Sequence, residues 1–215
     1  MHDDEAPALD CALLLDTTGS LGTELLALRR HLPELVQAVD RRAPATRLGV
    51  VAFKDHGAEG QDELYLLRTL PLTRERERLR AFLDDPALAC GVGGGGAEAV
   101  ECALRAARWL RWSPWARRSL ILVGDRPPHG AGLDRLTCCP EGVDWRDEVE
   151  ALAARGVAIT AVQVGQQLET ARVFEWMALR TGGAFLRLPH PRQLATTLAQ
   201  AILQAAAAPA LARAA

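Results

Sequence analysis

The chain has 215 residues, of which 49% are hydrophobic and 24% are charged, and its formal net charge is −2. This composition is ordinary for a globular protein that buries a sizeable core, and it excludes fibrous and intrinsically disordered classes. A nearly neutral chain also lacks the basic field that drives sequence-independent binding to nucleic acids or anionic lipids, so we expect neither nucleic acid nor membrane as a partner.

The amino-terminal segment MHDDEAPALD is acidic and lacks the basic and then apolar layout of a signal peptide. The apolar run CALLL that follows is far too short to span a bilayer. We therefore expect a cytoplasmic protein.

Six apolar runs of strand length alternate with amphipathic helical patterns along the chain. Helices are predicted over residues 21–39, 98–110, 147–155, 170–180 and 193–207. The alternation predicts one α/β domain over residues 1–207, with a flexible tail at 208–215. Its sheet is expected to be doubly wound (Rossmann-like), six-stranded and mainly parallel, in an order like 3-2-1-4-5-6, with helices on both faces and ELYLLRTL as an antiparallel edge strand. The runs are ALDCALLLD, TRLGVVAFK, ELYLLRTL, RSLILVGD, GVAITAVQVG and AFLRL.

Two of the predicted strands end on an aspartate, and ligands of such sheets bind beyond the carboxyl ends of the strands. Asp16 closes the first strand, and Thr18 and Ser20 follow at alternate positions. Asp125 closes the strand RSLILVGD. Carboxylate and hydroxyl oxygens in this arrangement suit a hard cation such as Mg²⁺. As an alternative, Thr18 or Ser20 caps the helix that follows.

The run DTTGS resembles the D-x-S-x-S signature of von Willebrand factor type A (vWA) domains, with Thr18 in place of the first serine, and Asp125 matches their third-loop aspartate. DTTGSL, FKDHG, GGGGAE and DRPPHG, with the closing LRTGGAFLRL, are similar in order to motifs of the alpha-kinase-linked proteins and their bacterial stand-alone relatives. The resemblance implies a metal-ion-dependent adhesion site, in which Mg²⁺ or Mn²⁺ completes its coordination with an Asp or Glu of a partner protein. The implied metal ligands are Asp16, Thr18, Ser20 and Asp125.

One position departs from the family pattern, because Gly95 stands where the second loop normally supplies a metal ligand. A missing ligand implies weaker metal binding. Asp55 or Glu98 is a candidate to compensate. Each also has an ordinary structural role. Asp55 could organise the turn after a strand, and Glu98 could lie in the first turn of a helix, where an acidic side chain interacts favourably with the helix dipole.

Three functions remain in competition. The leading one is a non-enzymatic binding module within a multi-protein bacterial system for signalling or defence, with an ATPase, kinase or protease as partner. The second is a scaffold whose metal site has degenerated. The third is a metal-dependent phosphohydrolase with Asp16 as nucleophile, although DTTGS lacks the second aspartate of a D-x-D-x-T loop.

Two further patterns favour ordinary structural roles. Residues 91–96 satisfy G-x-G-x-x-G, but a poor preceding strand and the lack of a Walker lysine favour a flexible loop over a nucleotide site. The five cysteines contain no CxxC pair, so we expect no disulfide framework and no zinc knuckle. The pair Cys138-Cys139 has no histidine nearby in the sequence, which favours a loop over a soft-metal site.

Overall fold

The computed structural model describes residues 9–57, 65–88, 96–131, 138–188 and 190–208. In these ranges the strands are β1 (Leu9–Asp16), β2 (Arg47–Phe53), β3 (Leu67–Thr73), β4 (Arg117–Gly124), β5 (Val157–Gln163) and β6 (Phe185–Arg187). The α-helices are α1 (Gly22–Arg42), α2 (Arg76–Asp84), α3 (Val100–Arg108), α4 (Trp145–Ala154), α5 (Leu168–Thr181) and α6 (Leu194–Ala207). Short 3-10 turns lie at Gly19–Leu21, Pro86–Leu88 and Pro191–Gln193.

The strands form one six-stranded sheet in the order β3-β2-β1-β4-β5-β6. Every neighbouring pair is parallel except β2 and β3, which are antiparallel. The predicted fold class, strand order and antiparallel edge strand are therefore confirmed. The edge strand itself begins later than its apolar run and continues through Pro71, a residue that an edge position tolerates because one side of the strand needs no partner.

Helices cover the sheet on both faces, as the all-buried pattern of the central strand β1 requires. Alternate β1 residues, among them Leu13 and Leu15, belong to a core shared with α1, α2 and α6. The residues between them, Ala12 and Leu14, pack on the other face against α3, α4 and α5. Asp16, at the carboxyl end of the strand, lies on the same face as Ala12 and Leu14, because side chains of a strand alternate between its two faces.

Two helices differ from their sequence predictions. The segment RERLRAFLD forms α2, although it is so highly charged that only Leu79 and Leu83, four residues apart, are buried. Helix α3 begins at Val100, so Glu98 lies before the helix and not in its first turn. None of the described helices is long and apolar enough to cross a membrane. Apart from Ala208, the predicted tail lies outside the described residues, and the single-domain boundary remains a prediction.

Candidate metal centre at the carboxyl edge of the sheet

The strand order reverses between β1 and β4, and this switch point brings three acidic segments to one edge of the sheet. Asp16 ends β1 and Asp125 directly follows β4. The backbone N–H of Glu98 donates to the carbonyl of Pro127 (3.0 Å), and Glu98 pairs with Pro128 in an isolated parallel bridge. Glu98 is therefore held beside the loop that carries Asp125.

Asp16, Thr18 and Ser20 form a continuous chain of oxygen atoms. The backbone N–H and the hydroxyl of Thr18 both donate to Asp16 Oδ1, at 2.8 and 2.6 Å. Thr18 Oγ1 lies 3.1 Å from Ser20 Oγ. Thr18 precedes the 3-10 turn without a side-chain capping bond, and α1 begins without one as well. The alternative that these hydroxyls serve as helix caps is therefore wrong.

Three carboxylates of this edge each keep one buried oxygen without a hydrogen-bond partner among the described residues. The oxygens are Asp16 Oδ2, Asp125 Oδ1 and Glu98 Oε2. Asp16 and Glu98 are almost completely buried, at 4% and 2% exposure. Buried polar atoms normally find partners, so three unsatisfied carboxylate oxygens at one edge call for a further ligand.

Acidic groups are crowded at this edge, and the crowding opposes their ionisation. Burial raises the pKa of Asp16 to about 7, and the charge of Asp125 adds to the effect, while Thr18 and Lys54 oppose it. Burial also raises the pKa of Glu98 to about 9, together with the charges of Asp16, Asp55 and Asp125. Each of these carboxylates is costly to ionise in the presence of the others. A bound cation would remove this cost.

The donor set fits the cation that the resemblance implies. Hard ions such as Mg²⁺ and Mn²⁺ take carboxylate and hydroxyl oxygens, and the unsatisfied oxygens are of this kind. Thr18 is buried, whereas Ser20 is exposed and leaves the centre open to solvent on its side. Gly95, where the family pattern has its second-loop ligand, lies outside the described residues.

Of the two auxiliary candidates, the surroundings of Glu98 favour a role at the metal and those of Asp55 favour a role in its loop. Asp55 Oδ1 accepts a hydrogen bond from the backbone N–H of His56 (2.7 Å) and lies 3.2 Å from His129 Nε2. Burial opposes protonation of His129, but its bonds to Asp55 and Glu101 prevail and raise its pKa to about 10. Asp55 therefore organises the turn after β2 and holds the DRPPHG loop, as its alternative interpretation proposed.

Sequence reasoning missed two features of this region. Glu24, in the first turn of α1, is buried, and burial raises its pKa with a contribution from the charge of Asp125. No histidine is near the cysteine pair in the sequence, but the folded chain places His56 Nε2 3.3 Å from Cys139 Sγ. Cys102 is fully buried and lies in the same cluster, with its sulfur 3.6 Å from that of Cys139. The only indication of this cluster in the sequence was the histidine that each of the motifs FKDHG and DRPPHG carries.

Comparison with known proteins supports the fold at low sequence identity. The pilus adhesin SpaC of Lactobacillus rhamnosus GG, in its open conformation, matches with a TM-score of 0.65 and 13% identity over 92% of this chain and 30% of the adhesin. The conserved hypothetical protein BatB of Bacteroides thetaiotaomicron matches with a TM-score of 0.60 and 18% identity, over 94% of this chain and 100% of BatB. These structures share the α/β fold of this chain.

The sequence is also similar to a protein of Acanthamoeba polyphaga mimivirus that bears the name ariadne-like RING finger protein. The two are 23% identical over 196 residues, which make up 86% of this chain and 19% of the viral protein. This chain thus spans about a fifth of the length of that relative. No protein-family model matches the chain.

Proposed function

We propose that this chain is a non-enzymatic, protein-binding domain of the vWA kind that captures a partner carboxylate through a bound divalent ion. The observation that carries the proposal is the cluster of three carboxylates, each with one buried oxygen that no described residue satisfies, at the reversal of the strand order. Residues that would hold Mg²⁺ or Mn²⁺ are Asp16, Thr18, Ser20 and Asp125, with Glu98 as the additional acid.

Glu98 supports the proposal because it supplies what the sequence lacks. Gly95 has no side chain to offer a metal, whereas Glu98 lies three residues later and its carboxylate is buried beside those of Asp16 and Asp125. An acid at this place replaces the missing second-loop ligand and argues against the degenerate scaffold.

Each residue has a separate task in this arrangement. Two hydrogen bonds from Thr18 fix one oxygen of Asp16 and leave the other, Oδ2, for the ion. The Thr170 hydroxyl donates to the Asp125 carbonyl (3.1 Å) and steadies the start of its loop. The ion supplies positive charge that a partner carboxylate can bind. Solvent exposure at Ser20 provides the side from which such a partner would approach.

The proposal makes metal and partner binding mutually dependent. If the ion strengthens partner binding by some factor, the partner must strengthen ion binding by the same factor, because both routes end at one ternary complex. Typical couplings are about 5- to 150-fold. We further propose that the partner belongs to a multi-protein system and is an ATPase, kinase or protease, because the resembling bacterial domains accompany such proteins.

Capture of partners with and without Mg²⁺ tests the proposal. Tagged wild-type protein, Asp16→Ala and a control, Asp40→Ala, are incubated with lysate of the source organism in buffers that contain or omit Mg²⁺, and retained proteins are identified by mass spectrometry. Asp40 is an exposed aspartate on α1. We expect a partner retained by wild type and Asp40→Ala only with Mg²⁺, and lost with Asp16→Ala. A partner retained equally without Mg²⁺ and by Asp16→Ala would favour the degenerate scaffold instead.

A further inference from the structure

A second cluster of ligand-type side chains lies beside the acidic centre and consists of His56, Glu101, Cys102 and Cys139, here called the Cys-His-Glu cluster. His56 follows β2, Glu101 and Cys102 belong to the first turn of α3, and Cys139 precedes α4. The cluster is closed to solvent: the side chain of His56 is 9% exposed, Cys139 is 6% exposed, and the other two are 0% exposed.

We propose that the Cys-His-Glu cluster binds one zinc ion through His56 Nε2, Cys102 Sγ, Cys139 Sγ and Glu101 Oε1. Bond lengths of about 2.3 Å to sulfur and about 2.0–2.1 Å to nitrogen and oxygen, at tetrahedral angles, require about 3.8 Å between sulfurs, 3.6 Å from sulfur to nitrogen and 3.3 Å from nitrogen to oxygen. The observed separations are 3.6 Å between the sulfurs, 3.5 and 3.3 Å from the sulfurs to His56 Nε2, and 3.1 Å from His56 Nε2 to Glu101 Oε1.

The remaining separations also permit a single ion. All four ligand atoms lie within 4.8 Å of one another. A change of about 1 Å in the distance between two ligand atoms is therefore the largest that tetrahedral spacing requires, and rotation of a side chain supplies it. Four protein ligands in a closed pocket are typical of structural zinc, because a catalytic zinc site keeps one position open to water or substrate.

The chemistry of the ligands favours zinc over the ion proposed for the acidic centre. Thiolate sulfur is a soft ligand that Mg²⁺ does not take, whereas zinc takes thiolate, imidazole and carboxylate ligands alike. A disulfide between Cys102 and Cys139 is the competing arrangement. Its sulfurs would lie about 2.05 Å apart, and they are 3.6 Å apart here.

Surrounding residues orient the carboxylate ligand through hydrogen bonds, as the neighbours of zinc ligands commonly do. The backbone N–H of His129 donates to Glu101 Oε2 (3.1 Å), and His129 Nδ1 lies 3.1 Å from Glu101 Oε1. The other ring nitrogen of His129 lies 3.2 Å from Asp55 Oδ1. Glu101 is thus held from both its oxygens, with Oε1 directed toward His56.

The proposed zinc joins three segments that share one edge of the sheet. These are the loop after β2, the start of α3 and the segment before α4. Glu98 lies just before the same start of α3, and His129 ties the loop after β4 to Glu101. A zinc ion would therefore fix the surroundings of the acidic centre, but the inference does not rest on that centre binding a metal.

Metal analysis of protein without a polyhistidine tag, purified in reductant, tests the inference. We expect about one zinc per chain in wild type, and replacement of zinc by Co²⁺ should give thiolate-to-cobalt charge-transfer absorption together with the intense visible bands of a tetrahedral site. A mercurial thiol reagent should release the zinc from wild-type protein. These readouts need no variant to fold.

Variants locate the ion. Cys139→Ala and His56→Ala should lose zinc, whereas the neighbouring control Cys138→Ala should keep it, and His129→Gln should weaken zinc binding roughly 10- to 100-fold. Asp16→Ala should keep its zinc even if it loses Mg²⁺-dependent partner binding, which separates failure of this inference from failure of the proposed function. The zinc proposal would be overturned if wild-type protein took up neither zinc nor cobalt, or if the cobalt spectrum lacked thiolate charge transfer. A Cys102–Cys139 disulfide, or equal zinc loss from Cys138→Ala or Asp16→Ala, would also overturn it.

Discussion

Replacing Glu98 by the non-ionisable glutamine is predicted to reduce the pH dependence of stability in protein without Mg²⁺. Burial and the charges of Asp16, Asp55 and Asp125 raise the pKa of Glu98 from 4.5 to about 9 in the folded protein. A carboxyl group whose pKa is raised on folding contributes stability that is fully present below the unfolded pKa. That stability is lost as the pH rises from 4.5 toward 9.

The expected size of this effect follows from the difference between the folded and unfolded pKa. One pKa unit corresponds to about 1.36 kcal/mol, so between pH 5 and pH 6.5 Glu98 alone should lower the free energy of unfolding by about 2 kcal/mol. The upper limit of pH 6.5 keeps His129 out of the comparison. Its pKa is raised to about 10 by bonds to Asp55 and Glu101 that outweigh the effect of burial, so most of its own contribution is lost above pH 6.5, and the small loss below that pH is shared by wild type and variant.

Urea unfolding followed by circular dichroism at the two pH values, in buffer without Mg²⁺, measures the effect. Wild type should lose stability between pH 5 and pH 6.5, and Glu98→Gln should lose about 2 kcal/mol less. Glu77→Gln is the matched control, because Glu77 is an exposed glutamate on α2 and should behave like wild type. Contributions from other titrating groups cancel in the comparison. Equal loss of stability in wild type and Glu98→Gln would refute the placement of Glu98 in a crowded acidic centre.

Two further substitutions test the scaffold by urea unfolding. Asp10→Ala should destabilise the fold by about 3 kcal/mol, since it removes the buried partner of Arg47. The control Asp40→Ala changes an exposed aspartate and should cost less than about 1 kcal/mol. Equal effects of the two substitutions would contradict a special contribution of the buried ion pair. Gly183→Ala should cost about 3 kcal/mol by overpacking, because its added Cβ would clash with the backbone carbonyl of Ile159. Unchanged stability would contradict so close an approach of the two backbones.

The fold could be predicted because its signals are local and redundant. Every residue of β1 is buried, so its continuous apolar run predicts a central strand covered on both faces. The alternation of such runs with amphipathic helices then predicts the doubly wound sheet. Helix α2 was not predicted because two buried leucines in a charged nonapeptide give almost no hydrophobic pattern.

The two clusters differ in how much of them the sequence reveals. Asp16, Thr18 and Ser20 lie within five residues, so their shared direction follows from local spacing alone. The Cys-His-Glu cluster joins three segments of the chain, and members on different segments are 37 to 83 positions apart, so only the folded sheet edge brings them together. Glu98 was an ambiguous candidate, because its role depends on α3 beginning two residues later than the periodicity predicted.

Binding of Mn²⁺ to the isolated chain shows directly whether the carboxyl edge of the sheet holds a metal ion. Electron paramagnetic resonance can follow the disappearance of free Mn²⁺ as wild type, Asp16→Ala and Asp40→Ala are titrated in buffer freed of other divalent ions. We expect one bound Mn²⁺ per wild-type chain at saturation, displaced by excess Mg²⁺, with the same binding in Asp40→Ala and none in Asp16→Ala. Free Mn²⁺ that stays undiminished by wild-type protein, or binding that survives in Asp16→Ala, would contradict a metal centre at the carboxyl edge of the sheet.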